Sequence, residues 1–265
     1  MKIIAEISSN HCGDRTLAVK MIKAAAEAGA DMVKFQSYKA ENLQGDWSEA
    51  DHEWYRQTEL SDENHLYFMD VCKKEGIEFL TTCFDRKRID FLASLGLKHI
   101  KIASTDCASY TMLKEIRDAF EFPIVSTGMT YKEEIEKASE ILKKGKFALL
   151  HCVSLYPTPV EKLNLKKMDW LRNFTPYVGL SDHTTEIKSG VAALSKGASF
   201  IEKHFSLDRN APGKDHKVSI LPNQLKELCE FRDFIKKAES KIDFSLSDNE
   251  LAVREKYVGR WGDNK

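Results

Sequence analysis

A chain of 265 residues with 42% apolar side chains can bury a sizeable core, which excludes a disordered protein and allows one large domain or two small ones. Its 40 basic and 41 acidic residues leave a formal net charge of -1, so no general field draws it to nucleic acid or to an anionic membrane. The apolar run in MKIIAEISSNHCG is too short for a signal peptide, no stretch approaches the ~20 apolar residues of a membrane span, and six scattered cysteines without a Cys-x-x-Cys pair suit reduced thiols, so a cytoplasmic protein is expected.

The predicted elements alternate along the chain. KIIAEIS (2–8) reads as a strand, and TLAVKMIKAAAEAGA (16–30) as a helix with Leu17, Met21, Ile22, Ala25 and Ala28 at helical spacing and Gly29 placed to end it. MVKFQS (32–37) is the second strand. The connection after it, 38–61, is oversized; Trp47, Trp54 and Tyr55 argue against disorder, and its place at a strand end suggests a lid. A helix follows in DENHLYFMDVCKKEG, with Asp62 as cap and Gly76 as stop. EFLTTC (78–83), HIKIAS (99–104) and PIVSTG (123–128) are the next strands, and TYKEEIEKASEILKKG (130–145) is a helix with a Thr130 cap and a Gly145 stop. FALLHC (147–152), YVGLSD (177–182) and SFIEKHF (199–205) complete the strands, and a last helix covers 222–239. Eight β-then-α units without a linker predict an α/β protein, a single-domain (β/α)8 TIM barrel over residues 1–240 with a charged tail at 241–265. An open doubly wound sheet fits less well, because no Gly-rich dinucleotide loop follows the first strand.

Polar residues collect at the strand ends, which a barrel gathers at one mouth. They are Glu6; Lys34 and Gln36; Thr82; Lys101 and Ser104; Ser126 and Thr127; His151 and Ser154; Ser181, Asp182 and His183; and Glu202 and His204. Lys34 and Lys101 lie in otherwise apolar strands, where an unpaired ammonium is costly. Beside several hydroxyls they suit a dianionic carboxylate or phosphate; the alternative is that they pair with Glu6 or Glu202 merely to hold the barrel. His183 and His204, on adjacent strands, suit a divalent metal with open positions for water and substrate, against the alternative of satisfied core histidines. His11 and His151 are weaker candidates. In DRNAPGKDHK (208–217), a Pro212–Gly213 turn places Lys214 and Asp215 where they can reach over the mouth.

AEISSNHCG (5–13), GADMVKFQSY (29–38), FLTTCFD (79–85), IKIASTD (100–106), IVSTGM (124–129), LLHCVSLYPTP (149–159), GLSDHT (179–184), IEKHF (201–205) and APGKD (211–215) together resemble the catalytic barrel of the sialic acid synthase family. That family joins phosphoenolpyruvate to an amino-sugar aldehyde. The resemblance implies that Lys34, Thr82, Lys101, Ser104, Ser126 and Ser181 hold the pyruvyl substrate, with Ser154 where some relatives carry Asn. It implies His183 and His204 as ligands of a divalent metal, manganese first, with magnesium or cobalt as substitutes. Glu6, Gln36, Tyr156 and Asp215 match positions near the water or the acceptor sugar, and Glu202 flanks a metal ligand. Glu6, Gln36, Lys101, Asp182 and Glu202 are the expected catalytic set. Many members carry a C-terminal antifreeze-like domain that supplies an arginine in a swapped dimer; here the sequence ends at Lys265, with Arg254 or Arg260 as the substitutes. The acceptor is therefore left open; the family's swapped dimer does not carry over without that domain, and a barrel-to-barrel homodimer and a partner domain on another chain stay open as alternatives. Cys83 also stands where many relatives have Pro. A Schiff-base pyruvate aldolase using Lys34 or Lys101, and a non-catalytic sugar-acid-binding barrel, are the competing readings.

Overall fold

The computed structural model describes residues 1–43, 45–239, 242–259 and 261–262. The apolar runs form eight parallel strands: β1 (Lys2–Glu6), β2 (Met32–Ser37), β3 (Glu78–Cys83), β4 (His99–Ile102), β5 (Phe122–Ser126), β6 (Ala148–Cys152), β7 (Val178–Asp182) and β8 (Phe200–His204). Each pairs with the next, and β8 returns to β1, closing the barrel. The helices are α1 (Arg15–Glu27), α2 (Glu49–Thr58), α3 (Asp62–Lys74), α4 (Ile89–Ser94), α5 (Tyr110–Ala119), α6 (Lys132–Leu142), α7 (Lys167–Leu171), α8 (Lys188–Ser195), α9 (Pro222–Ala238) and α10 (Asp248–Tyr257). Among the described residues no helix is long and apolar enough to cross a membrane.

The two faces of each strand have separate fates, as a period of two requires. Outward residues such as Ile3, Val33, Phe35, Ile100, Leu149, Leu180 and Ile201 pack under the helices in one large core. Inward, Ile4, Met32, Leu80, Phe122, Ile124, Ala148, Leu150 and Phe200 fill the barrel's lower half. His99 closes the bottom, its ring 5.2 Å from Phe122 and hydrogen-bonded to Glu78, which also takes a 2.9 Å bond from Lys2. Two residues further along, the inward positions turn polar. Ile4 leads to Glu6, Met32 to Lys34, Leu80 to Thr82, Ile124 to Ser126, Leu150 to Cys152 and Phe200 to Glu202. The apolar plug is the floor on which the polar layer stands.

Local signals set most of the ends. Asp14 caps α1 by accepting from Thr16 N and Leu17 N, and Gly29 leaves the helix at φ 86°. Two caps differ from expectation. Ser61, not Asp62, accepts from Asn64 N to start α3, which places Asp62 in the first turn. Tyr131, not Thr130, precedes α6; its N–H donates to Glu134 at 2.8 Å, while the Thr130 hydroxyl donates to Gly128 O. The long 38–61 connection is largely folded, because Ser48 and Asp51 cap one another and begin α2. The tail carries α10, exposed along its length. Arg260 lies outside the described residues.

Candidate active site

Lys34 and Lys101 stand in the polar layer with Glu6 and Glu202 between them. Lys34 Nζ lies 2.9 Å from Glu6 Oε1 and 3.7 Å from Glu202 Oε2, and donates to Thr82 Oγ1 at 2.7 Å. Lys101 Nζ donates to Ser126 Oγ at 2.6 Å and to the Ile102 carbonyl at 3.0 Å, and lies 3.9 Å from Glu202 Oε1. Ser181 Oγ donates to that same oxygen at 3.0 Å. All seven side chains are buried.

Their charges are unequal. Burial alone would push the Glu202 carboxyl up, but Lys101, Lys34 and the Ser181 hydrogen bond outweigh it and hold it at about 2. For Glu6, burial together with the charge of Glu202 prevails over Lys34 and raises it to about 7. Burial would lower Lys34, but Glu202 and Glu6 reverse that; Lys101 is left below its ordinary value by burial. The layer thus holds one firmly ionised carboxylate and one carboxyl that changes state near neutrality. Glu6 Oε2 and Glu202 Oε2 have no hydrogen-bond partner, so the lysines do not saturate these carboxylates.

Hydroxyls line the adjoining wall. Gly128 N donates to Ser104 Oγ at 2.9 Å. A methyl group added at Gly128 would lie 2.5 Å from Ser154 Oγ, 2.9 Å from Ser104 Oγ and 3.1 Å from Cys152 Sγ, so the three side chains converge on a spot that only glycine leaves free.

Next to this wall, past the ends of β7 and β8, the His183 and His204 rings are 5.4 Å apart, centroid to centroid, with Tyr156 4.0 Å from His183 and 5.9 Å from His204. His183 Nδ1 donates to the Val153 carbonyl at 2.9 Å, so in the neutral ring Nε2 carries the lone pair; burial would lower this imidazole, but Cys152 and the Val153 carbonyl outweigh it and raise it. Burial holds His204 down at about 4, so it is a neutral imidazole at pH 7; its Nδ1 has no hydrogen-bond partner and lies 3.9 Å from Asp215 Oδ2. Two imidazoles with available lone pairs beside a carboxylate fit a divalent ion. Among the described residues no group of three or more His, Cys, Asp or Glu side chains stands close enough to hold a metal ion, so any such ion would rest on this histidine pair.

Asp215 accepts from Ser8 Oγ at 2.5 Å, and Gln36 Nε2 donates to Ser8 Oγ at 2.8 Å and approaches Glu6 Oε1 at 3.5 Å. From Gln36 and Asp215 a cleft of about 1580 Å³ runs outward, walled by Trp47, Trp54, Tyr55 and Tyr110. Lys214 pairs with Asp51, tying the loop after β8 to α2 across this cleft.

The structure therefore brings Glu6, Lys34, Gln36, Thr82, Lys101, Ser104, Ser126, Ser154, Tyr156, Ser181, His183, Glu202, His204 and Asp215 to one mouth. It does not bring Asp182 there. With Ser181 facing inward, Asp182 must face outward, where Thr184, Ser189 and Lys203 satisfy its carboxylate. His151 also points outward, 2.6 Å from the Leu163 carbonyl, and His11 packs against Phe35. The sequence reading missed Ser8 and Cys152. Cys152 Sγ is 4.0 Å from His183 Nδ1; burial would raise this thiol, but His183 outweighs it and lowers it. The inward period of β6 was the available signal for Cys152.

The model of the NeuB family matches residues 21–243. An N,N'-diacetyllegionaminic acid synthase of Campylobacter jejuni is 42% identical over 246 residues, covering 86% of this chain and 74% of the relative. A pseudaminic acid synthase of the same species is 35% identical, with 97% and 80% covered. The crystal structure of an N-acetylneuraminic acid (sialic acid) synthetase from Leptospira borgpetersenii, in complex with citrate, superposes with a TM-score of 0.88 at 33% identity, covering 96% of this chain and 90% of that one.

Proposed function

This chain belongs to the NeuB family, and from that premise we propose that it condenses phosphoenolpyruvate with an amino-sugar aldehyde in the cytoplasm, giving a nonulosonic acid and inorganic phosphate. The observation that carries this reading is the division of one mouth into two halves stacked along the barrel axis: Lys34 and Lys101 with Thr82, Ser126 and Ser181 in the layer nearer the floor, and the His183–His204 pair two residues beyond Ser181 and Glu202. The first half suits a small, multiply charged anion. His183 and His204 would hold a divalent ion, manganese in our reading with magnesium or cobalt as substitutes, which when bound supplies a Lewis acid for charge developing on the aldehyde oxygen.

The chain's own residues would act as follows. Lys34 and Lys101 neutralise the carboxylate and phosphate of phosphoenolpyruvate, while Ser104, Ser126, Ser154, Thr82 and Ser181 fix its orientation. Gln36, Tyr156 and Asp215 place the aldehyde carbon over C3, where the new carbon–carbon bond forms and the aldehyde oxygen becomes a hydroxyl. Glu6, with a carboxyl that titrates at about 7, is suited to take the proton from the water adding at C2. The tetrahedral carbon then breaks its bond to the phosphate oxygen while its hydroxyl proton passes to the departing phosphate, leaving the ketone. The proton lost by water balances the one gained by the aldehyde oxygen. Holding both substrates and one water in a buried layer supplies much of the acceleration.

The aromatic walls of the cleft favour the acyl methyls and C–H faces of an N-acylated sugar. Of the three cations lining it, Arg86 and Lys214 are engaged by the carboxylates of Glu115 and Asp51, and Lys87 donates to Asn42 Oδ1. With two of the three neutralised by carboxylates, the cleft supports an unphosphorylated acceptor. One observation favours a Schiff-base aldolase instead: burial lowers Lys101, as an imine-forming lysine requires. Pyruvate with borohydride would trap that adduct.

Phosphate release from phosphoenolpyruvate, with manganese and a panel of N-acetyl and diacetamido hexoses and their 6-phosphates, tests the proposal. We expect release that requires one unphosphorylated amino sugar, stops with EDTA and returns with added manganese. Release independent of acceptor, or none with any acceptor, would contradict it.

A further inference from the structure

Ser8, just after β1, has a left-handed backbone, φ 53°, and is 1% exposed. Glycine adopts that conformation without penalty, whereas a side chain disfavours it. Cys12, Met129 and Asn164 share the left-handed backbone, but of the four non-glycine residues so placed among the described residues only Ser8 is buried. A buried residue kept in a disfavoured conformation points to a use for its side chain.

That side chain is a hydroxyl with partners on two other segments. It receives a 2.8 Å hydrogen bond from Gln36 Nε2 on β2 and donates at 2.5 Å to Asp215 Oδ2, on the loop before α9. Without it Gln36 keeps only the 3.5 Å approach to Glu6, and the Asp215 carboxylate keeps only His204, 3.9 Å away. Gln36 and Asp215 both line the cleft that opens from the mouth. The hydroxyl makes no hydrogen bond to the lysine and serine half.

We infer that Ser8 is a positioning residue for the acceptor: its hydroxyl bridges Gln36 and Asp215 and keeps both aimed into the cleft. The inference rests on the condensing-enzyme reading above. It separates the two substrates, because Ser8 serves the acceptor and leaves phosphoenolpyruvate untouched.

Ser8→Gly is the informative variant, since it removes the hydroxyl and relieves the backbone together; Ser8→Ala removes the hydroxyl and keeps the strain. For Ser8→Gly we expect a Tm at or above wild type, a KM for the acceptor raised about tenfold, as loss of one buried bridging hydrogen bond gives, and an unchanged KM for phosphoenolpyruvate. Ser8→Ala should show the same split with a lower Tm. An unchanged acceptor KM in Ser8→Gly, or a parallel rise in both KM values, would overturn the inference. A wild-type enzyme that releases no phosphate with any acceptor would reject the condensing reading instead. Amide hydrogen exchange over residues 214–219 would then decide the bridge by itself: faster exchange in Ser8→Gly supports it, and equal exchange overturns it.

Discussion

Lys203 sits between Glu202 and His204, yet it shares nothing with the mouth. Its neighbours face inward, so it faces outward, where its ammonium meets Asp182 at 3.0 Å, the Glu186 carbonyl at 2.9 Å and the Thr184 carbonyl. It thereby ties β8 to the turn that carries His183. Removing one partner of a fully buried pair strands the other charge, so Lys203→Met should cost about 3–5 kcal/mol in chemical denaturation. Adding Asp182→Leu should recover much of that loss. A loss below about 1 kcal/mol for the single variant would show that the pair is not a structural tie. The same alternation explains what was legible at this scale. Glu202 and His204 could be assigned to one face from their spacing alone, and so could Lys34 and Gln36. Asp182 was misplaced because SDH reads as one polar cluster, although strand parity separates Ser181 from Asp182. Ser8 was hidden because its backbone conformation appears only in three dimensions.

Strands were the most legible elements, since a parallel barrel buries both faces and leaves continuous apolar runs in the sequence. Their ends moved by a few residues: 99–104 became His99–Ile102, and 199–205 became Phe200–His204. Caps were less legible, because Ser61 and Asp62 are both good capping residues and only geometry chooses between them. The aromatic residues in 38–61 correctly argue for order, but α2 is hidden in the sequence, because its stretch EADHEWYRQT is mostly polar and charged. On α3, His65 makes an element-scale prediction. It is fully buried, its ring 5.4 Å from Phe91, with Nδ1 2.9 Å from the Ser61 carbonyl. Burial lowers it from 6.5 to about 4. The unfolded chain therefore takes up this proton first as the pH falls. The contribution to stability is complete above about pH 6.5 and is lost between there and about pH 4, up to about 3 kcal/mol. Denaturation midpoints measured across that window should fall less steeply for His65→Phe than for wild type. Identical slopes would contradict the assignment.

At the scale of the molecule, closure of the sheet in chain order is what turns scattered polar residues into a site. Glu6 lies in register with Lys34 on one side and His204 on the other, Thr82 with Lys101, and Ser181 with Glu202. Eight strand ends, each polar, could be read from the sequence as one mouth once the barrel was inferred. The sequence could not show the unequal state of the two carboxylates, which depends on their distances from the two ammoniums, nor the cleft walled by α2. Under the proposed function, this mouth has an anion half and a half that would hold the metal, and the two bind separately. Calorimetric titration of phosphoenolpyruvate and of manganese into wild type, Lys101→Ala and His204→Ala checks that separation. Lys101→Ala should lose at least about tenfold in phosphoenolpyruvate affinity, as expected for removal of a charge-assisted contact, and bind manganese as wild type does. His204→Ala should show the reverse. If each variant lost both ligands equally, or neither lost any, the division of the mouth would be wrong.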